Sequence, residues 1–225
     1  MAEPIKPASS PATVSALTDE FKKRVNTNDK NIEKYFSLLF FYILLLFPGV
    51  HLKYKIGKAD ANKKELVVEW YVFSKLVFSI LAVCIYNRLP GLFKHIVLWI
   101  LVAFTVETIL NNLLYILSNK LFSVPRSYKR VIILSFANYL EIIFNFSYFY
   151  AAGNLIRLDP PANSITELTQ VDYLFFSIST GGILGYGDYA LYSNEGKILA
   201  MLQGLLLLMF FGLFVAYNIS LFATK

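Results

Sequence analysis

The 225-residue chain is 56% hydrophobic and 16% charged, with a mean hydropathy of +0.54, whereas soluble domains run at about 45–50% apolar and about 25% charged residues. The apolar excess lies in long runs, which excludes an ordinary soluble domain and indicates a membrane protein. The net charge of +6 fits basic loops on the cytoplasmic side of a membrane, and no motif points to nucleic acid as a partner.

Residues 1–34 form a polar N-terminal segment, with Pro4, Pro7, Ser9, Ser10 and Pro11 in its first part. That composition predicts partial disorder. Leu17, Phe21 and Val25 recur at helical spacing beside Lys22, Lys23 and Arg24, as in a helix lying on a membrane surface. No secretory signal peptide is expected, because the first apolar run begins only near Tyr35.

Five apolar segments follow, at about residues 35–50, 66–86, 92–117, 131–152 and 197–222. The first is short of the roughly 20 residues that a crossing helix needs, so it either spans or lies half-inserted, and the side of the N-terminus depends on which. Cys84, the single cysteine, falls in the second run and is expected to pack there; it excludes a disulfide within the chain. His51 and His95 read as loop residues near the membrane surface, and neither has a second ligand at metal spacing. Residues 35–118 thus form an N-terminal helical region, and residues 129–225 a second unit.

The loops set an orientation. Residues 51–65 carry Lys53, Lys55, Lys58, Lys63 and Lys64 against Asp60 and Glu65, and residues 119–130 carry Lys120, Arg126, Lys129 and Arg130 with no acid. Both read as cytoplasmic. Residues 153–170, with Arg157 against Asp159 and Glu167, read as external. Glu69, Lys75, Glu107 and Glu141 fall inside apolar runs, where charge is costly and usually faces protein or water. Glu69 and Lys75, six residues apart, lie on different helix faces. Glu107 or Glu141 is expected to meet a polar partner on a neighbouring helix. No segment carries the repeated arginines of a voltage sensor.

The informative stretch is residues 171–216, VDYLFFSISTGGILGYGDYALYSNEGKILAMLQGLLLLMFFGLFVA. An aromatic-rich amphipathic stretch leads into Gly185-Tyr186-Gly187-Asp188, between two apolar spans and on the external side. An ion entering a dry filter must exchange water for oxygen ligands, and rings of backbone carbonyls supply them. Glycine at alternate positions, here Gly185 and Gly187, removes the steric cost of turning successive carbonyls inward.

This stretch resembles the pore module of the potassium channel family, in which a pore helix, a Thr-Val-Gly-Tyr-Gly-Asp filter and an inner helix follow one another. The resemblance implies an all-α, polytopic membrane fold with N-terminal helices ahead of an outer helix, pore loop and inner helix. Residues 172–180 would be the pore helix, and the helix from about Gly196 the inner helix. The filter would comprise Ile183, Leu184, Gly185, Tyr186, Gly187 and Asp188, with K+ held by the backbone carbonyls of Ile183, Leu184, Gly185 and Tyr186. Phe211, Val215 and Ile219 would line the cavity, with Phe211 as an apolar constriction. A homotetramer in a lipid bilayer is implied, passing monovalent cations, with K+ as permeant ion and no cofactor. The expected setting is a multi-pass plasma membrane protein, in a bacterial inner membrane given the compact module.

The sequence departs from the family in the filter, where Leu184 also replaces valine, a mild change, and in the inner helix. Gly182 and Ile183 stand where the family has two threonines, and Ile183 offers no hydroxyl at the innermost ion site. An ungapped alignment from Gly187 puts Leu207 where the family often has a hinge glycine, with Gly204 and Gly212 nearby. Gly181-Gly182 is expected to loosen the end of the pore helix. The primary expectation is a passive potassium channel. A weakly selective monovalent cation channel and a non-conducting membrane sensor or structural protein are the rivals. No enzyme is indicated: there is no Ser/His/Asp or metal constellation. Any gating trigger is expected to act through the membrane helices, the N-terminal segment or the filter, with no ligand-binding domain after the pore.

Overall fold

The computed structural model describes residues 61–117, 128–158, 168–182 and 184–210, with isolated positions at Tyr35, Leu39, Tyr42, Ile43, Phe47 and Gly212. Helix α1 covers Ala61–Ile85 and continues into a 3-10 turn, Tyr86–Arg88. Helix α2 covers Gly91–Leu117 and α3 covers Tyr128–Gly153. A short strand β1, Ile156–Leu158, precedes helix α4, Gln170–Gly182; strand β2, Tyr189–Leu191, precedes helix α5, Asn194–Met209.

Among the described residues, three stretches are long and apolar enough to cross a membrane: Leu66–Arg88, Gly91–Leu113 and Ile132–Gly153. The protein is therefore an all-α multi-pass membrane protein, with β1 and β2 as a small antiparallel clip. The outward faces of α1 and α2 are apolar: Trp70, Val77, Leu81, Ile96 and Trp99 are all exposed. Such a surface is a liability in water and the proper one in lipid. Cys84 lies on this exposed surface instead of packing inward. In lipid an apolar side chain gains little by turning inward, so hydrophobicity alone does not assign the face. His95 is likewise not a loop residue; it stands, exposed, in the first turns of α2.

The helices pack with α3 at the centre. One of its faces meets α1 through Val72, Leu76 and Ala137, and the upper part of α1 and α2 through Ala82, Val83, Leu101 and Tyr148. The other face, with Ile142, Ile143, Phe146 and Tyr150, packs against α4 and α5. At one end of the bundle Arg130 pairs with Glu69. At the other, the Tyr86 hydroxyl donates to Ala151 O at 3.0 Å, and Gln170 Nε2 donates to Asn87 Oδ1 at 3.3 Å. The turn after α1 thus lies beside the end of α3 and the start of α4, at the end of the bundle away from the Arg130–Glu69 pair.

Candidate ion-conduction site

Helix α4 is fixed at its start by a reciprocal cap. Thr169 O accepts from Asp172 N at 3.1 Å. Asp172 Oδ2 accepts from Thr169 N at 2.6 Å and from Thr169 Oγ1 at 2.7 Å. This satisfies donors that the first turn leaves unpaired. The helix start is tied to the outer side of the bundle by the Tyr173 hydroxyl, 3.1 Å from Asn154 Oδ1.

From there α4 descends about 20 Å, at 1.5 Å per residue over 13 residues. It ends beside the middle of α3 and the last turn of α5: a Cβ on Gly181 would lie 2.6 Å from Leu207 Cδ1 and 3.7 Å from the Tyr139 hydroxyl. The chain then returns through residues 184–188 to the outer side, where β2 pairs with β1 in the register Leu158↔Tyr189 and Ile156↔Leu191. A helix that enters to mid-depth and a loop that returns to the same side make a re-entrant pore loop. The C-terminal end of α4 points into the membrane, where its dipole favours a cation.

The helix is longer than the expected 172–180. The cap adds its first turn. Gly181 and Gly182 do not loosen its end: they remain helical, Gly181 packs tightly on Leu207, and Leu184 N donates back to Ser179 O at 3.0 Å. Leu207, at the expected hinge position, is almost fully buried. It serves as the contact between inner helix and pore helix.

Within the loop, Gly185 has φ +90° and Gly187 φ +58°, with Tyr186 between them. Left-handed φ at alternate residues is what glycine permits and other residues resist. The Tyr186 ring stacks on Phe176 of α4, with centroids 4.6 Å apart and planes 14° from parallel. Phe176 in turn meets Tyr150 of α3 edge-on at 4.9 Å. The Tyr150 hydroxyl donates to Gln203 Oε1 of α5 at 2.8 Å. Gln203 Nε2 donates to Ser177 O and Ser177 Oγ, both at 2.9 Å, and Ser177 Oγ donates to Ile143 O at 2.7 Å. The side chain of Tyr186 is thereby anchored to α3, α4 and α5. Gln203, Ser177, Tyr150, Ile156 and Phe176 are buried.

The outer end of the loop is held by Tyr189. Its hydroxyl donates to Asp172 Oδ1 at 2.6 Å, and its ring packs on Phe175 at 5.6 Å. Burial pushes the Asp172 carboxyl up, but the hydrogen bonds from Tyr189 and Thr169 outweigh it and hold the group below the ordinary carboxylate value. The hydrogen bond to Asp172, then burial and the negative charge of Asp172 and Asp188, push the Tyr189 phenol up to about 12. The Tyr192 hydroxyl donates to Asn154 O and completes the clip.

Of the residues expected at the site, Leu184, Gly185, Tyr186, Gly187 and Asp188 lie together in the loop and are exposed in the single chain. Ile183, Phe211, Val215 and Ile219 lie outside the described residues. The supporting residues Gln203, Ser177, Tyr150 and Asp172 were not expected. A lone amide within the apolar run of α5 is the sequence signal that marks Gln203, since such a group requires a partner in a dry interior.

A re-entrant helix and a glycine-flanked loop between α3 and α5 are the arrangement expected of the pore-forming part of an ion channel. Residues 133–224 match a family model described as "Ion channel", the two-helix potassium-channel-type pore domain. The match supports a potassium-channel-type pore module in this part of the chain, and residues 1–132 lie outside it. No curated protein and no solved structure matches the chain significantly.

Proposed function

We propose that four copies of this chain surround a common axis in the plasma membrane and pass K+ passively through a filter formed by residues 183–187. The observation that carries this reading is the pair of left-handed glycines, Gly185 and Gly187, around a tyrosine stacked on the pore helix. In this reading the carbonyls of Ile183, Leu184, Gly185 and Tyr186 replace the hydration shell of the ion, and Asp188 stands at the outer mouth. One loop per chain encloses no axis, so the pore requires closed rotational symmetry. The Phe176 stack and the Gln203 network keep each loop at a fixed distance from that axis.

A second reading, a weakly selective monovalent cation channel, is favoured by Ile183, which places no hydroxyl at the inner end of the filter. Flux from liposomes containing the purified protein separates the two. K+ flux well above Na+ flux, from a particle of tetrameric mass in native mass spectrometry, supports the first reading. Equal fluxes support the second. Absence of flux in both the wild type and the Ile183→Thr variant counts against a conducting role.

A further inference from the structure

The outer end of α4 is held from a part of the chain that lies ahead of the matched residues 133–224. The 3-10 turn after α1 carries Tyr86 and Asn87. Among the described residues, Tyr86 is the one side chain ahead of α3 that packs on the core containing Tyr150, Tyr173 and Phe176. Its hydroxyl donates to Ala151 O at 3.0 Å, one of the carbonyls that the end of α3 leaves outside the helix ladder. Its ring meets Tyr148 edge-on at 5.1 Å and lies under Lys94 Nζ at 4.1 Å. The next residue, Asn87, accepts through Oδ1 from Nε2 of Gln170, the first residue of α4, at 3.3 Å.

Short steps lead from these contacts to the loop at residues 184–188. Three residues beyond Ala151, Asn154 takes a left-handed φ of 47°, as residues that end helices do. Its Oδ1 accepts from the Tyr173 hydroxyl of α4 at 3.1 Å, and its carbonyl accepts from the Tyr192 hydroxyl. Asp172, beside Tyr173, accepts from the hydroxyl of Tyr189, the residue that follows the loop, at 2.6 Å. The first turn of α4 thus carries both the bond to Asn87 and the bond to the end of the loop. A Cβ on Gly185 or Gly187 would meet nothing within 4 Å. In the single chain the loop therefore takes its place from the Tyr186 stack and from its two ends.

We propose, resting on the reading of residues 183–187 as an ion filter, that Tyr86 and Asn87 are positioning residues for that filter. The turn between α1 and α2 fixes where the outer end of the pore helix stands and, through Asp172 and Tyr189, where the outer end of the loop stands. Helices α1 and α2 then act on the filter and are more than a membrane anchor beside it.

The test is hydrogen–deuterium exchange of the full-length protein in lipid nanodiscs, read over residues 184–189. Asn87→Ala should speed exchange there about threefold, and Asn87→Ala with Tyr86→Phe about tenfold, as the loss of one or two modest hydrogen bonds does for local opening. Asn87 is exposed and Tyr86→Phe keeps the ring, so these variants should fold. Asn87→Asp keeps an oxygen acceptor towards Gln170 Nε2 and should match the wild type. Glu69→Gln breaks the pair with Arg130 at the other end of the bundle and should leave the loop unchanged. The K+ over Na+ flux ratio should fall in the same order as exchange rises. Unchanged exchange in the double variant, or an equal rise in Asn87→Asp or Glu69→Gln, would overturn the proposal. A wild type with no K+ preference would overturn the filter reading instead, and exchange would still decide whether the turn positions the loop.

Discussion

The ring of Tyr186 lies on the ring of Phe176, nearly parallel and 4.6 Å away. Tyr186 belongs to the loop that carries Gly185 and Gly187, and Phe176 is a fully buried residue of the pore helix. The position of the loop backbone is thus transmitted through Phe176 to Tyr150 and from there to Gln203 and the inner helix.

Replacing Phe176 by leucine keeps apolar volume but removes the stacking surface. Cores tolerate such exchanges at about 1–3 kcal/mol, so the chain should fold and assemble. The K+ over Na+ flux ratio should fall, because Tyr186 loses its brace. An unchanged ratio in liposomes would remove the stack from the account.

The Gln203 network makes a coupling prediction. Gln203→Leu leaves the Tyr150 and Ser177 hydroxyls without this partner, at about 1–3 kcal/mol for each group left unsatisfied. Tyr150→Phe removes one bond and should cost about 1 kcal/mol. Since the two residues share a bond of 2.8 Å, the double variant should be less unstable than the sum of the singles. Thermal unfolding of the four proteins in detergent measures that difference, and strict additivity would deny the network a role.

Gly181 and Leu207 make a close contact, with 2.6 Å between an added Cβ and Leu207 Cδ1. Gly181→Ala is expected to destabilise by about 1–3 kcal/mol, as overpacking does. Leu207→Ala, which removes the clashing atom, should partly rescue the Gly181→Ala variant while destabilising the wild type. Unfolding midpoints of the single and double variants read this directly.

The Asp172–Tyr189 bond predicts a pH dependence with two limbs. The Asp172 carboxyl is held below its ordinary value, so its contribution is present above the ordinary carboxylate range and is lost as pH falls through the lowered value. The Tyr189 phenol is pushed up to about 12, so its contribution is full below its ordinary value near 10 and is lost as pH rises towards 12. Stability of the wild type should fall at both extremes. Tyr189→Phe should lose the alkaline limb and weaken the acid one, as unfolding at graded pH would show.

The helices and the glycine-flanked loop were legible in the sequence to different degrees. The runs at 66–86, 92–117 and 131–152 emerge as α1, α2 and α3 within a few residues, because continuous hydrophobicity of that length has few other uses. The hydrogen bond from Tyr86 to Ala151 brings the turn after α1 to the end of α3. Glu107 and Glu141 do find partners on neighbouring helices. The pore helix boundaries were less accessible, because Thr169 and Asp172 cap each other through geometry that composition does not display, and because Gly181 is retained in the helix by packing on α5. The faces of Cys84 and Gln203 were hidden for a related reason: within a helix that is apolar all round, periodicity does not separate lipid from protein.

A potassium filter at Gly185 and Gly187, as proposed, would set the reversal potential. The most direct test is the reversal potential of the purified protein in planar bilayers with K+ on one side and Na+ on the other. The reversal potential is expected to be displaced strongly in the direction of K+ selectivity, with a smaller displacement in Phe176→Leu. A reversal potential at zero in the wild type would contradict it.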